Sequence, residues 1–176
     1  MSAGIVLTGG ASSRMGADKA FVVVDGRPMV VAVADALWEG GCSPVECQGG
    51  DVERLAGLGM TAFPDSRPGT GPVAAILDAL ERTGDTVVVA ACDLPSLDAA
   101  SVRDLASTDA MAAFARTGEQ AHLVSMWNHD TAATLRSLAA EGPVSYRAAL
   151  DAVSAVAVAV RPEVVRNVNA PGDLES

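Results

Sequence analysis

Short β-branched runs alternate with longer Ala- and Leu-rich stretches along the whole chain. The short runs predict strands at Gly4–Leu7, Phe21–Val24, Val45–Gln48, Met60–Ala62, Thr86–Ala91, Ala110–Phe114, His122–Trp127 and Ala155–Val160. The longer stretches predict helices at Met29–Glu39, Asp51–Leu58, Gly71–Arg82, Asp98–Ser107, Thr131–Ala140 and Ser145–Asp151, with a last turn from Pro171. Asp98 and Asp130 stand where N-caps belong. Gly40-Gly41 and Gly84 follow helices, where a positive φ is expected. Thr86–Ala91 reads TVVVAA, the continuous apolar run of a strand covered on both faces. This alternation predicts an α/β fold, a three-layer α/β/α sandwich with a mostly parallel central sheet. Ligands of such sheets sit beyond the carboxyl ends of the strands.

The length of 176 residues suits one domain, 1–176. Apolar types make up 49%, enough for a substantial core. Aromatics supply only 3%, so that core must come from Ala, Val and Leu. The formal net charge of −10 and the scarcity of aromatics argue against nucleic acid as a partner, since phosphate neutralisation needs clustered Lys and Arg. Cys42, Cys47 and Cys92 are odd in number and lack CxxC spacing, which predicts buried thiols rather than disulfides or zinc. The chain opens without a cationic region, and no apolar run reaches the ~20 residues needed to cross a bilayer. A cytoplasmic protein with no membrane partner, monomeric or weakly self-associating, is expected.

The most informative stretch is Gly4–Lys19, GIVLTGGASSRMGADK. A strand runs straight into Thr8-Gly9-Gly10, then Ser12-Ser13-Arg14, then Gly16 and Lys19. Small residues leave amide N–H groups exposed in an anion-binding concavity. Arg14 offers a planar fork of donors, and Lys19 a compact charge. Neither GxGxxG nor GxxxxGK[ST] is present, so this is a different phosphate loop. Of twelve basic residues eleven are Arg, and Lys19 is the only lysine. A lysine retained in so Arg-rich a chain points to a role that Arg cannot fill.

Asp93 in VVVAACDLP falls where the buried strand ends, a position suited to Mg²⁺, with a turn aspartate as the alternative. Asp65 follows a short strand, and Pro68–Pro72 leads into a helix. That loop, with Gly71, could hold a base or ribose, or be a plain turn. Asn167 and Asn169 project the same way from an extended segment, as polar donors or as Asx-turns. His122 and His129 lack partners at metal spacing, and no GxSxG elbow occurs. Trp38 and Trp127 sit in apolar contexts expected in a core or interface, while Asp35, Asp78 and Glu81 are expected to be solvated.

Taken together, these motifs resemble the molybdenum cofactor nucleotidyltransferases, most closely the guanylyltransferase branch. The family loop LAGGxSxRMGxDK reads LTGGASSRMGADK here, with Thr8 in place of Ala. Asp25-Gly26-Arg27-Pro28, Asp65…Gly71-Pro72-Val73, Ala91-Cys92-Asp93-Leu94-Pro95 and Asn167-Val168-Asn169-Ala170-Pro171 match further family segments, so the likeness runs from Gly4 to Leu174. The region Gln120-Ala121-His122 departs from the family in lacking a His-Pro pair.

The resemblance implies a Rossmann-like sandwich of the nucleotide-diphospho-sugar transferase type, using GTP and Mg²⁺. The acceptor would be a molybdopterin-type phosphate, and the product a dinucleotide cofactor plus pyrophosphate. It implies that Leu7, Thr8, Gly9, Gly10, Lys19, Gln48, Asp65, Gly71 and Asp93 bind the nucleotide. Asp93 would also hold the metal; Arg14, Lys19 and Asp93 would carry catalysis, and Asn167 and Asn169 the acceptor side. Cytidylyl transfer to the same pterin, transfer to a sugar phosphate or phospholactate, a non-catalytic nucleotide binder and a ligand-free interaction module are the rival readings.

Overall fold

The protein is described by a computed structural model covering residues 2–9 and 19–168. Seven strands form the main sheet: β1 (Ala3–Leu7), β4 (Val45–Gln48), β5 (Ala62–Phe63), β6 (Val87–Ala91), β7 (Ala112–Thr117), β8 (Gln120–Trp127) and β9 (Val156–Ala159). Their spatial order is β5-β4-β1-β6-β8-β7-β9, and only β8 runs against the rest. Two further short strands, β2 (Val23–Val24) and β3 (Arg27–Pro28), form a separate hairpin. The helices are α1 (Met29–Glu39), α2 (Val52–Gly57), α3 (Pro72–Thr83), α4 (Ala99–Ala106), α5 (Thr131–Ala140) and α6 (Tyr146–Ala152).

Strand alternation divides the core in two. Val6, Val88, Ala90, Ala113, Val124 and Met126 face α1, α2 and α4, around Val33, Leu37, Leu55, Val102 and Leu105. Ile5, Val87, Val89 and Trp127 face α3, α5 and α6, around Ile76, Leu80, Leu135 and Leu150. Period-2 alternation thus feeds two apolar layers from one sheet, the expected three-layer sandwich. Trp127 is fully buried; its indole N–H donates to Ser125 Oγ at 2.8 Å, and its ring packs edge-on against Tyr146. Trp38 is exposed on α1, outside the core. The three cysteines are buried and outside any disulfide, and burial pushes the Cys42 thiol up to about 11 and the Cys47 thiol up to about 12. No helix among the described residues is long and apolar enough to cross a membrane.

The structure corrects several local expectations. Phe21 belongs to a 3₁₀ turn, Lys19–Phe21, not to a strand. Val23–Val24 pairs with Arg27–Pro28 across Asp25 and Gly26, both at positive φ, the two-residue hairpin that an Asp-Gly pair favours. Asp130 stands at the N-cap position of α5 but makes no side-chain capping bond; instead Asn128 Oδ1 accepts from the Asp130 amide, and its carbonyl accepts from the amide and hydroxyl of Thr131. Asp98 does cap α4, accepting from the Ser101 amide at 2.8 Å. Pro162–Val165 forms a 3₁₀ turn that was not expected, and the turn expected from Pro171 lies outside the described residues.

Gly41 and Gly84 adopt positive φ, but Gly40 does not. Its small size answers a different need, because a Cβ there would stand 2.6 Å from Val102 Cβ on α4. Gly40→Ala therefore forces α1 and α4 apart and should cost about 1–3 kcal/mol. Thermal denaturation should show a lower Tm, partly restored in the double variant with Val102→Ala.

Candidate active site

Register builds the site. Leu7 pairs with Gln48 on one side and Ala91 on the other, and Gln48 pairs with Phe63. Four parallel strands therefore end level. Each releases its next two residues onto one rim: Thr8-Gly9, Gly49-Gly50, Pro64-Asp65 and Cys92-Asp93. The rim lies at the carboxyl edge, where α1 and α3 leave on opposite faces of β1.

Asp93 continues β6 and faces Lys19, which the 3₁₀ turn presents from the first loop. Lys19 Nζ lies 3.5 Å from Asp93 Oδ2, with side-chain exposures of 25% and 16%. The two groups thus converge on one cleft from segments 74 residues apart. The Asp93 carbonyl accepts from the Val168 amide at 2.9 Å, drawing the C-terminal segment against it. Asp93 and Asn167 both line a cleft of about 770 Å³, together with Thr117, Gln120, His122 and Arg166. A β-bulge between Phe114 and Arg116 shifts the register of the β7–β8 hairpin whose tip forms this wall. His122 Nε2 lies 2.6 Å from Thr117 Oγ1, and the His122 carbonyl accepts from Tyr146 OH at 3.0 Å. Burial holds the His122 imidazole below its ordinary range, so it is neutral near pH 7.

The other half of the rim is made of backbone. The Thr8 hydroxyl donates to the Gly49 carbonyl at 2.8 Å, and the Thr8 amide donates to the Gln48 carbonyl at 2.9 Å. Gly49 and Gly50 both take positive φ. A Cβ on Gly49 would stand 2.6 Å from Asp65 Oδ2 and 2.8 Å from Gly9 Cα, while one on Gly9 would collide with the same carboxylate. Asp65 thus lies directly against bare backbone. Its Oδ1 is buried and makes no hydrogen bond among the described residues. Burial, then the nearby Asp78 carboxylate, push the Asp65 carboxyl above its ordinary range, and Gln48 pulls it partly back.

The other predicted residues fall as follows. Leu7 is buried, and its carbonyl accepts from the Cys92 amide. Gln48 is 1% exposed, with its side chain turned inward to Pro64 and Arg82. Gly71, at φ +96°, starts α3 beside a second cavity of about 160 Å³ lined by Arg67, Thr70 and Val144. Gly10, Arg14 and Asn169 lie outside the described residues. Sequence reasoning missed Gly49-Gly50, although a Gly pair directly after a strand is a readable sign of close backbone approach. It also missed Asp78, which accepts from the Ser66 amide at 2.8 Å and hydroxyl at 2.6 Å rather than standing solvated. Glu81 and Asp35 do lie at the surface, paired with Arg136 and Arg27.

The family model for the MobA-like NTP transferase domain matches residues 4–167. The chain belongs to this family. A probable molybdenum cofactor guanylyltransferase of Mycobacterium bovis is 30% identical, over 99% of this chain and 92% of that protein. Among solved structures, molybdopterin-guanine dinucleotide biosynthesis protein A from Archaeoglobus fulgidus superposes with a TM-score of 0.76 at 22% identity, covering 98% and 94% of the two chains. Rv0371c of Mycobacterium tuberculosis in complex with manganese superposes with a TM-score of 0.70 at 16% identity, covering 98% and 95%. This MobA-like chain is therefore a nucleotidyltransferase with the mostly parallel α/β fold of that group.

A carboxyl whose folded pKa is raised favours folding only while protonated. Its contribution is complete below the unfolded value near ~3.9 and is lost as pH rises through the folded one. Asp65→Asn should therefore raise the Tm of the ligand-free protein at pH 7. The gain should shrink as pH falls into the carboxyl range, where the native side chain is neutral too. Scanning calorimetry from pH 3.5 to 7.5 on both proteins checks this.

Proposed function

We propose that this MobA-like chain transfers GMP from GTP to the terminal phosphate of a molybdopterin-type acceptor, releasing pyrophosphate and forming a guanine dinucleotide cofactor. The observation that carries the reading is the Lys19–Asp93 pair at 3.5 Å, set between the backbone rim of Thr8-Gly9 and the 770 Å³ cleft. The rim side suits a nucleotide. The cleft side, with Asn167, Arg166 and His122, has the volume and polar lining for a second substrate. The mycobacterial relative's name supports the cofactor assignment.

Transfer is a single displacement. An oxygen of the acceptor phosphate bonds to the α-phosphorus of GTP while the bond from that phosphorus to the bridging oxygen breaks. The electron pair leaves with pyrophosphate. The acceptor phosphate is already anionic near pH 7, so no general base is required. Catalysis then rests on positioning and charge stabilisation.

Lys19 serves the charge that builds on the α-phosphate and the departing pyrophosphate, with Arg14 joining it from the same loop. Thr8, locked to the Gly49 carbonyl, keeps the loop backbone close enough to the nucleotide for its amides to serve. Asn167 orients the acceptor from the side of Asp93.

Asp93 would hold a divalent metal, expected to be Mg²⁺. Its hard oxygen donors fit such an ion, and no group of three or more possible ligands stands among the described residues, so waters and triphosphate oxygens would complete the shell. When bound, the ion would offset charge on the triphosphate. The manganese complex of the mycobacterial neighbour is in keeping with the use of a divalent ion by this fold.

The guanine preference rests on Asp65. Guanine presents two adjacent donors on its pairing edge, and an ionised carboxylate is an acceptor only. Asp65 Oδ1, buried and without a hydrogen-bond partner among the described residues, is suited to meet them. Cytosine and adenine place an acceptor in that row.

Lys19→Ala should lower turnover on the order of a hundredfold or more while GTP still binds. The check is pyrophosphate release with GTP, CTP or ATP and molybdopterin, paired with GTP titration. Release with CTP in preference to GTP would replace guanylyl with cytidylyl transfer, and near-normal turnover in the variant would remove Lys19 from the chemistry.

A further inference from the structure

We propose that Arg82 and Asp78, two residues of α3 that line neither cavity, act as positioning residues for base selectivity by fixing Asp65 from both sides. This rests on the reading of Asp65 as the guanine acceptor.

The connections are specific. The Arg82 guanidinium lies over the Phe63 ring at 3.9 Å from its centroid. One arm pairs with Glu46 on β4, and the other donates to Gln48 Oε1 at 3.1 Å. Gln48 in turn donates through Nε2 to the Pro64 carbonyl at 2.9 Å. Pro64 immediately precedes Asp65. On the other side, Asp78 accepts from both the amide and the hydroxyl of Ser66, which immediately follows it. The residues flanking Asp65 are thus each fastened to α3, one directly and one through Gln48.

Arg82 could be a plain structural ion pair, and its link to Glu46 taken alone would support no more. The second arm carries the argument. A fully buried glutamine with both amide atoms used inward does not touch a ligand with its side chain; it sets the distance between β4 and the Pro64 carbonyl. The Gln48 backbone meanwhile accepts from Thr8 and Gly9. One residue therefore fixes how Asp65 seats against Gly9, the contact that sets where the carboxylate stands on the rim. Selectivity against a base that lacks matching donors depends on a rigidly held acceptor, because a mobile one turns away to find other partners.

The test is titration of the full-length protein with GTP and with CTP, alongside Tm. The wild-type chain should prefer GTP. Arg82→Lys keeps a cation for Glu46 but lacks the second arm for Gln48. It should hold its Tm near the wild-type value while GTP affinity falls about tenfold and CTP affinity changes little. Asp78→Asn should move the GTP:CTP ratio in the same direction.

Equal loss of both nucleotides, or an unchanged ratio in both variants, would overturn the proposal and leave phosphoryl chemistry at Lys19 and Asp93 intact. A wild-type chain without preference for GTP would instead remove the guanine reading and this inference with it. Pyrophosphate release with molybdopterin, measured on the same wild-type sample, tells that outcome from failure of the transfer reaction itself.

Discussion

Everything at the rim depends on four parallel strands ending level. Because Leu7, Gln48, Phe63 and Ala91 share one row, the residues that follow them line one rim although they come from four distant parts of the chain, and three of those exits bring Gly9, Gly49 and Asp65 into contact. The meeting is possible only because two of the four exits are glycine-bearing. Gly9 and Gly49 approach at a distance that leaves no room for a Cβ on either. Remove that approach and Asp65 loses the surface it lies against, while the Thr8 hydroxyl loses the carbonyl it is tied to.

This arrangement carries an energetic cost that the free protein does not recover. A carboxylate pressed against bare backbone, with one oxygen buried and unpartnered among the described residues and Asp78 nearby, is disfavoured in its charged form. Such costs concentrate where a ligand is to be met. Lys19 and Asp93 differ in kind, because they are opposite charges within reach of each other, and each lowers the cost of holding the other half-buried. The rim therefore combines an ion pair after β6 with, on the side of β4 and β5, an acceptor that is unsatisfied among the described residues.

The net charge of −10 does not oppose an anionic ligand here. Charges beyond roughly 8 Å are screened at physiological salt, and the local field at the cleft includes Lys19 and Arg166 as well as Asp93 and Glu163. Local chemistry was the part of the site most readable in sequence. A lone lysine after a glycine loop and an aspartate at the end of a doubly buried strand are marked by composition and position alone. The sandwich was readable for the same reason, since the period of apolar residues reports the layers directly. What resisted reading was set by partners far away in sequence. Gln48 looks like a polar strand end, and only its neighbours Pro64 and Arg82 reveal that it faces inward. Asp78 looks like a solvated helix residue until the Ser66 loop folds over it. Asp130 holds the N-cap position without a side-chain bond while Asn128 accepts two residues earlier, because that choice turns on backbone angles that composition does not carry.

Two of these hidden contacts, those of Gln48 and of Ser66, run to one element. Helix α3 packs its apolar face under β1 and β6 through Val73, Ile76, Leu77 and Leu80, and offers Asp78 and Arg82 toward the strand ends. A helix held by a large buried face moves little, so groups mounted on it inherit the rigidity of the core. A loop such as the one bearing Asp65 gains definition when it is tied to such a helix at two points. The halves proposed for catalysis and for base selection then depend on different supports: the sheet itself for Asp93, and α3 acting through Gln48 and Ser66 for Asp65. A change in one support can alter which nucleotide is held without altering how its phosphates are handled.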